Sequence, residues 1–462
     1  MILRKASNAN TFLAHLLAGL VLLLGFYSCS SKDGKEINPD VEQHDSITQS
    51  LTEEELMDLV QQQTFSYFWD FGHPFSGMAL ERSQKDAYGV AGFEIVTSGG
   101  SGFGVMGLIV GVERNFITRQ QAVERLHKIT DLLLQGDRFH GAFPHWYYGS
   151  TGRVRPFFTE DNGGDIVETS FMIMGLLTAR QYFNEENEQE GSLREKINQL
   201  WEEVEWDWYT NGADVLTWHW SPDYEWAINH QIRGYNEALI TYVLAASSPT
   251  HPVDAEVYHQ GWTSGSDFYN GSEYYDQWVL PLGPDLGGPL FFAHYSFLGL
   301  DPRELEDDYA DYWQQNVNHT LINRAYCLEN PKGYAGYGKD NWGLTASDNH
   351  LGYSAHSPTN DLGVISPTAA ISSLPYTPEY AMDAMRSFYE NHQGRLWGPY
   401  GFYDAFNLSE NWYADNYLAI DQGPILVMIE NYRTGLLWDL FMSCPEVKTG
   451  LLRLGFRSPH LN

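Results

Sequence analysis

The stretch 159–177, TEDNGGDIVETSFMIMGLL, decides how this chain is read. Its three acids, Asp161, Asp165 and Glu168, lead straight into an apolar run of Phe171, Met172, Ile173, Met174, Leu176 and Leu177. On a helix, residues three and four apart share a face, so Asp165 and Glu168 stand together. Asp161 joins their stripe if the helix starts early, and otherwise sits in the loop above it. A helix apolar nearly all round is buried on every side. Acids in its first turn either complement the positive end of the helix dipole or point into a cavity.

Working outward, the same construction recurs. Small-residue-rich, wholly apolar segments fall at 104–112, 164–177, 235–246, 286–298, 367–374 and 420–429. Amphipathic segments, charged along one side, fall at 53–68, 118–134, 192–206, around 307–324, 378–389 and 432–441. Six of each predict an (α/α)6 toroid, an inner ring of buried helices wrapped by an outer amphipathic ring. No sequence-level repeat accompanies the pattern. Strand candidates are few (142–148 and 215–219), and they suit short hairpins at the rim. Long loops rich in Gly, Asn, Asp and aromatic residues span 76–102, 136–162, 212–234, 333–366 and 396–422, each leading into the start of an inner helix. Loops this long inside one domain are usually functional, and these gather at one end of the toroid.

Composition narrows the ligand. Aromatic content is 15%, with 15 Trp and 29 Tyr, more than a core needs and typical of interfaces or of sugar-binding clefts. A formal net charge of −33 repels nucleic acid and uronate polymers, and favours a neutral substrate or serves solubility alone. His145, His230, His294 and His356 follow no metal-binding spacing, and the three cysteines, Cys29, Cys327 and Cys444, do not either. No metal or other cofactor is expected. The cluster 99–104 does not follow a strand and lacks the lysine of a phosphate-binding loop.

The N-terminus carries Arg4 and Lys5, an apolar run at 12–25 too short to span a membrane, and then Ser28-Cys29. Residues 1–28 read as a lipoprotein signal, Cys29 as the lipidated residue, 29–50 as a tether and 51–462 as the toroid domain. The expected protein is an exported monomer, anchored by lipid alone in the periplasm or on the outer membrane of a Gram-negative bacterium.

Glycoside cleavage needs a proton donor on one side of the sugar and a base or nucleophile on the other. Acids at inner-helix starts are the candidates. Glu237, one residue before an apolar helix, either pairs with Arg233 at i, i+4 or faces an apolar wall with a raised pKa. Asp421, just ahead of Pro424, suits an N-cap or a catalytic role. Asp415 is placed similarly in the preceding loop, and Asp404 is weaker. Trp146, Tyr147, Trp218, Trp220, Trp226, Trp342, Trp397 and Trp412 are candidate sugar platforms. Arg82, Arg155, Arg233 and Lys339 are candidates for bonding hydroxyls or fixing carboxylates.

The segments TSGGSGFGVMGL (97–108), GAFPHWYYGSTG (141–152), the opening stretch, RGYNEALI (233–240) and AIDQGPILVMIENYRTGLLW (419–438) together resemble glycoside hydrolase family 144, whose members are often labelled putative glucoamylases. The resemblance covers the chain beyond the tether. It implies an (α/α)6 barrel that hydrolyses linear β-1,2-glucan with inversion, in the chain interior or by releasing sophorose. By motif, Asp161, Asp165, Glu168 and Glu237 fall on the family's cleft carboxylates. Glu237 is then the proton donor, with Asp165 or Asp161 as the opposing base, Asp421 behind them, and Glu168 among the groups that hold substrate. An α-glucan hydrolase and a non-catalytic glycan-binding lipoprotein are the competing expectations, and the loop 333–366 is the expected wall that separates endo from exo action.

Overall fold

A computed structural model describes residues 50–461; the signal, Cys29 and nearly all of the tether lie outside them. Twelve α-helices are described: α1 (Glu53–Trp69), α2 (Ser98–Glu113), α3 (Arg119–Gln135), α4 (Ile166–Tyr182), α5 (Glu188–Glu202), α6 (Leu239–Ser247), α7 (Tyr312–Glu329), α8 (Pro367–Ile371), α9 (Pro378–Leu396), α10 (Ala419–Thr434), α11 (Leu436–Met442) and α12 (Pro445–Arg453). They form an (α/α)6 toroid. The inner ring runs α2, α4, α6, residues 290–298, α8 and α10, and α10 closes it by packing on α2. Residues 290–298 meet the turns that follow α8 through His294 Nε2 and Ser373 Oγ at 3.0 Å, and through the Tyr376 hydroxyl donating to the Ala293 carbonyl. Residues of α2 and α4 are buried around nearly their whole circumference.

The outer helices show the expected start signals. Thr52 and Thr118 close capping boxes with Glu55 and Gln121, and Asn187 and Asp311 cap α5 and α7. Each such cap satisfies backbone donors that have no partner inside the helix. α1 lies behind α2 and α10, α3 and α5 pack on each other, and α9 backs α8.

Three expectations need correction. Residues 286–298 are not an α-helix but a chain of 3₁₀ turns, because Gly287 and Gly288 both take positive φ (89° and 78°) and Pro289 follows them. The glycine run 98–102, expected in a loop, is the first turn and a half of α2. The amphipathic segment 432–441 is not an outer helix. Gly435 (φ 72°) ends α10 in the left-handed conformation that favours glycine, and α11 and α12 then turn beneath the ring. Trp438 Nε1 donates to the Phe297 carbonyl at 2.7 Å, Arg453 to Ala246 at 2.6 Å and Asn431 to Leu298 at 3.1 Å. These are C-terminal carbonyls of inner elements, so the chain's last helices make the floor. α12 also backs α6, a place for which the sequence offered no outer helix. Cys327 and Cys444 are buried, unpaired thiols.

The opposite rim carries the long loops and their ladders. Ile95–Thr97, Trp146–Tyr148 and Arg153–Arg155 form a three-stranded antiparallel sheet, and Gly164–Asp165 pairs with His219–Trp220. Ala346–Asn349 pairs with Gly352–Ala355 as a hairpin inside the loop 333–366.

Candidate active site

Two groups of buried acids sit at the open rim, on different arcs of the inner ring. The first is built on the start of α4. Asp165 caps that helix: its Oδ1 accepts from the Val167 and Glu168 amides at 3.0 and 2.9 Å. Its Oδ2 lies 3.1 Å from His145 Nδ1 and 3.4 Å from His219 Nε2, and His219 stands equally close to Asp161 Oδ2. Glu168 accepts from the Gly99 amide at 2.6 Å and approaches His145 Nε2 at 3.8 Å. A Cβ on Gly99 would lie 2.7 Å from Glu168 Oε2, which is why the first turn of α2 carries no side chain there.

Charge in this group is largely balanced. Burial opposes the Asp165 charge, but hydrogen bonds from His145 and His219 outweigh it and hold the carboxyl well below the usual range. Burial likewise opposes the His145 charge, yet Glu168, Asp165 and Asp161 push its pKa up to about 9. Burial and the Asp165 charge push Asp161 up to about 6, and burial raises Glu168 despite His145. One ligand atom each from His145, Asp161 and Asp165 falls within 4.8 Å of the others, so a cation would find its donors here; both carboxylates already have a histidine beside them.

Glu237 borders this group on the next inner element. It precedes α6, which begins at Leu239 rather than 235, so the expected helical pair with Arg233 does not form. Arg233 instead points outward to Gln231, the Gln260 carbonyl and Ser264. Burial pushes the Glu237 carboxyl up to about 7, with the Asp165 and Glu168 charges adding to the shift.

The second group joins four segments: Glu81, Asp348, Asp404 and Asp421, with Arg82 among them. Arg82 is committed to these acids, donating to Glu81 at 2.9 Å and to Asp348 at 3.2 Å. It therefore fixes carboxylates rather than presenting itself to a ligand. Asp404 Oδ2 accepts from the Asp348 amide at 2.7 Å, and Asn416 donates to Asp348 at 2.8 Å. Asp421, in the first turn of α10, stands in the field of Asp404, and neither of its buried oxygens has a hydrogen-bond partner among the described residues. Burial raises both carboxyls, Asp404 to about 7, because the one cation nearby is already taken. Tyr295 lies in the field of both Asp421 and Glu237, and the hairpin residue Tyr353 in that of Asp421 and Asp404.

The expected sugar platforms divide. Trp146 lies on the His145 side of its strand, beneath Tyr88 and Phe157 with Arg155 over its ring, so only 4% of it is exposed until those rim residues move aside. Trp218 stacks beside His219. Tyr147, the next residue along its strand, points the opposite way and is fully buried, bonding the Asp137 carbonyl. Trp342 is core, donating to the Tyr380 carbonyl, and Trp397 packs between Tyr389 and Phe402 against α9. Trp412 is half-buried in a two-residue ladder beside Asn407, Asp415 is exposed, and Lys339 pairs with Asp340 at the surface. Trp220 and Trp226 line neither acidic group. His219, Glu81 and Asp348 were not anticipated. Alternation along 217–220 was the available signal for His219, whereas nothing local marks the other two.

Residues 229–445 match the family model described as putative glucoamylase. A putative glucoamylase from Bacteroides uniformis is 60% identical, with a TM-score of 0.87 over 89% of this chain and 99% of that one. An endo-β-1,2-glucanase from Chitinophaga pinensis, solved with sophorotriose and glucose, is 58% identical, with a TM-score of 0.86 over 89% of this chain and 100% of that one. An exo β-1,2-glucooligosaccharide sophorohydrolase from Parabacteroides distasonis is 46% identical over 88% of this chain, which spans 59% of that relative's length.

Proposed function

Because the chain belongs to the family of these bacterial putative glucoamylases and β-1,2-glucanases, we propose that it hydrolyses linear β-1,2-glucan with inversion. The carrying observation is Glu237, a carboxyl pushed up to about 7 beside a charge-balanced acidic group at the open rim. Near neutral pH it keeps a proton for the glycosidic oxygen, as a general acid must.

The base is Asp421, assisted by Asp404. Glu237 opens the third inner element and Asp421 the sixth, and in a six-membered ring those positions stand across from each other. Asp165 is beside Glu237 rather than opposite it, and its lone pairs are engaged by two amides and two histidines. In the reaction, Glu237 protonates the leaving oxygen while a water attacks the anomeric carbon from the far face. The Asp404–Asp421 pair takes that water's proton. The group on α4 holds the sugar hydroxyls, with Trp146 and Trp218 as platforms. A neutral glucan suits a chain of net charge −33.

Export through residues 1–28 and lipid anchoring at Cys29 belong to the same reading, and labelling with a radioactive fatty acid in the native host tests them. The hairpin at 346–355 is the wall that sets endo or exo action; an unchanged product pattern after trimming it defeats that assignment.

The principal test incubates the protein separately with β-1,2-glucan and with starch, and sizes the products over time. Mixed β-1,2-oligosaccharides mean endo cleavage, and sophorose alone from the start means exo cleavage. Glucose from starch with β-1,2-glucan untouched overturns the proposal. Glu237→Gln is expected to lower kcat by about 10²–10⁴-fold with glucan still bound. The wild-type rate is expected to fall above about pH 7 as Glu237 loses its proton.

A further inference from the structure

The ladder that brings His219 to the acids on α4 has a second face. Along a strand, successive side chains point to opposite sides. His219 reaches Asp161 and Asp165, and Trp220 turns away toward His140 (ring centroids 4.9 Å apart) and Trp208 (6.1 Å). Behind the ladder lies a cavity of about 390 Å³, within the usual range of small-molecule sites. None of the acids assigned to the reaction lines it.

Two indoles form its walls. The rings of Trp208 and Trp226 are 6.2 Å apart and inclined by 34°, and Trp208 is 40% exposed. One face of Trp208 is covered by the His140 ring, stacked at 3.8 Å and 12°, and Glu205 holds His140 at 2.9 Å. The Asp207 carboxylate accepts from the Trp208 amide at 3.0 Å and meets His251 at 3.2 Å. The indole is thus fixed in place and still two-fifths exposed on the cavity wall, and an aromatic so placed is pre-organised for a ligand. Glu205, Asp207, Thr210 and Asn211 bring carboxylate, hydroxyl and amide groups to the same space, and no lysine or arginine lines it. Such a lining rejects phosphate and other anions. Flat apolar faces beside several hydrogen-bonding groups match a neutral polyol ring, whose C–H face is apolar and whose edge is hydroxylated.

We propose that this pocket is a second saccharide-binding site, which holds a stretch of the same neutral glucan that the cleft cuts. This rests on the glucan-hydrolase reading of the cleft. Being on the back of the His219 ladder, the pocket tethers polymer beside the open rim and raises the local concentration of cleavable linkages. A short oligosaccharide gains nothing from it, because it cannot occupy both sites at once.

The test compares the full chain with its Trp208→Ala variant. KM for polymeric β-1,2-glucan is expected to rise about fivefold to tenfold, with kcat and the kinetics on a β-1,2-linked pentasaccharide unchanged. In the Glu237→Gln background, calorimetry with the pentasaccharide is expected to count two sites, and one after Trp208→Ala is added. Equal KM and equal stoichiometry with and without Trp208 overturn the proposal. If the wild type cuts no β-1,2-glucan, gel retardation by β-1,2-glucan, starch and laminarin is compared for the two proteins. Loss of retardation in Trp208→Ala then keeps the pocket while the cleft reading fails, and retardation by none of them overturns the pocket too. Should Trp208→Ala fail to fold, Thr210→Arg fills the pocket from its surface turn, and the same outcomes decide.

Discussion

The two acidic groups at the rim contain similar numbers of carboxylates but opposite electrostatics. On α4, Asp161, Asp165 and Glu168 share two histidines, and the helix amides complete the coordination of Asp165. On the α10 side, Glu81, Asp348, Asp404 and Asp421 share a single arginine that Glu81 and Asp348 consume. The first group is therefore a framework whose charge adds to stability. The second lacks counter-charge, so Asp404 and Asp421 hold protons more tightly than ordinary carboxyls and are poised to take one up. Burial alone does not separate them, since both are shielded from solvent. Counter-charge does.

The contrast is sharpest in Asp421→Asn. Its kcat is expected to fall about 10²–10⁴-fold in a steady-state assay, with a thermal midpoint that holds or rises because a buried ionisable group without counter-charge has gone. An activity loss accompanied by a lower midpoint would break the comparison. Asp165→Asn is expected to do the reverse. Asparagine still caps a helix, but the two histidines lose their anion, so urea denaturation at pH 7 should show a loss of about 2 kcal/mol. Its kcat should suffer less than that of Asp421→Asn, and the opposite order would return the base to the α4 side.

Asp404→Asn probes the second group more gently. The Asp404 charge raises the Asp421 pKa, so removing it should move the acid limb of the kcat profile to lower pH. The alkaline limb, set by Glu237, should stay near pH 7. The smallest effect concerns His145. Its folded pKa of about 9 lies above the unfolded value near 6.5, so its contribution to stability is complete below about pH 6.5 and fades as pH rises through 9. Urea midpoints followed from pH 6 to pH 9.5 should fall more for wild type than for His145→Gln.

How far the sequence reveals this arrangement depends on how far apart the partners lie. Asp165 and Glu168 share one helical turn, so their alliance is visible in a single line of sequence. The ring is visible too, because a wholly apolar helix has nowhere to go but inside. The second acidic group is not, since its members come from residues 81, 348, 404 and 421, and only tertiary packing places them together. Tyr147 was misplaced because it was grouped with Trp146, although neighbours on a strand face opposite ways. Trp342 and Trp397 carry no local sign of being core rather than cleft. The glycine run 98–102 falls at the end of the expected loop 76–102, whereas the absence of a side chain at Gly99 is what lets the start of α2 approach Glu168.

The way the ring closes has a kinetic consequence. Helix α1 packs on α10, and Gln61 bonds Glu430 across 369 residues of sequence. The seam between first and last inner-ring neighbours therefore cannot form until nearly the entire described chain is present. High contact order of this kind slows folding and leaves early intermediates with open helix edges. A toroid sealed so late stays extensible while it is being made.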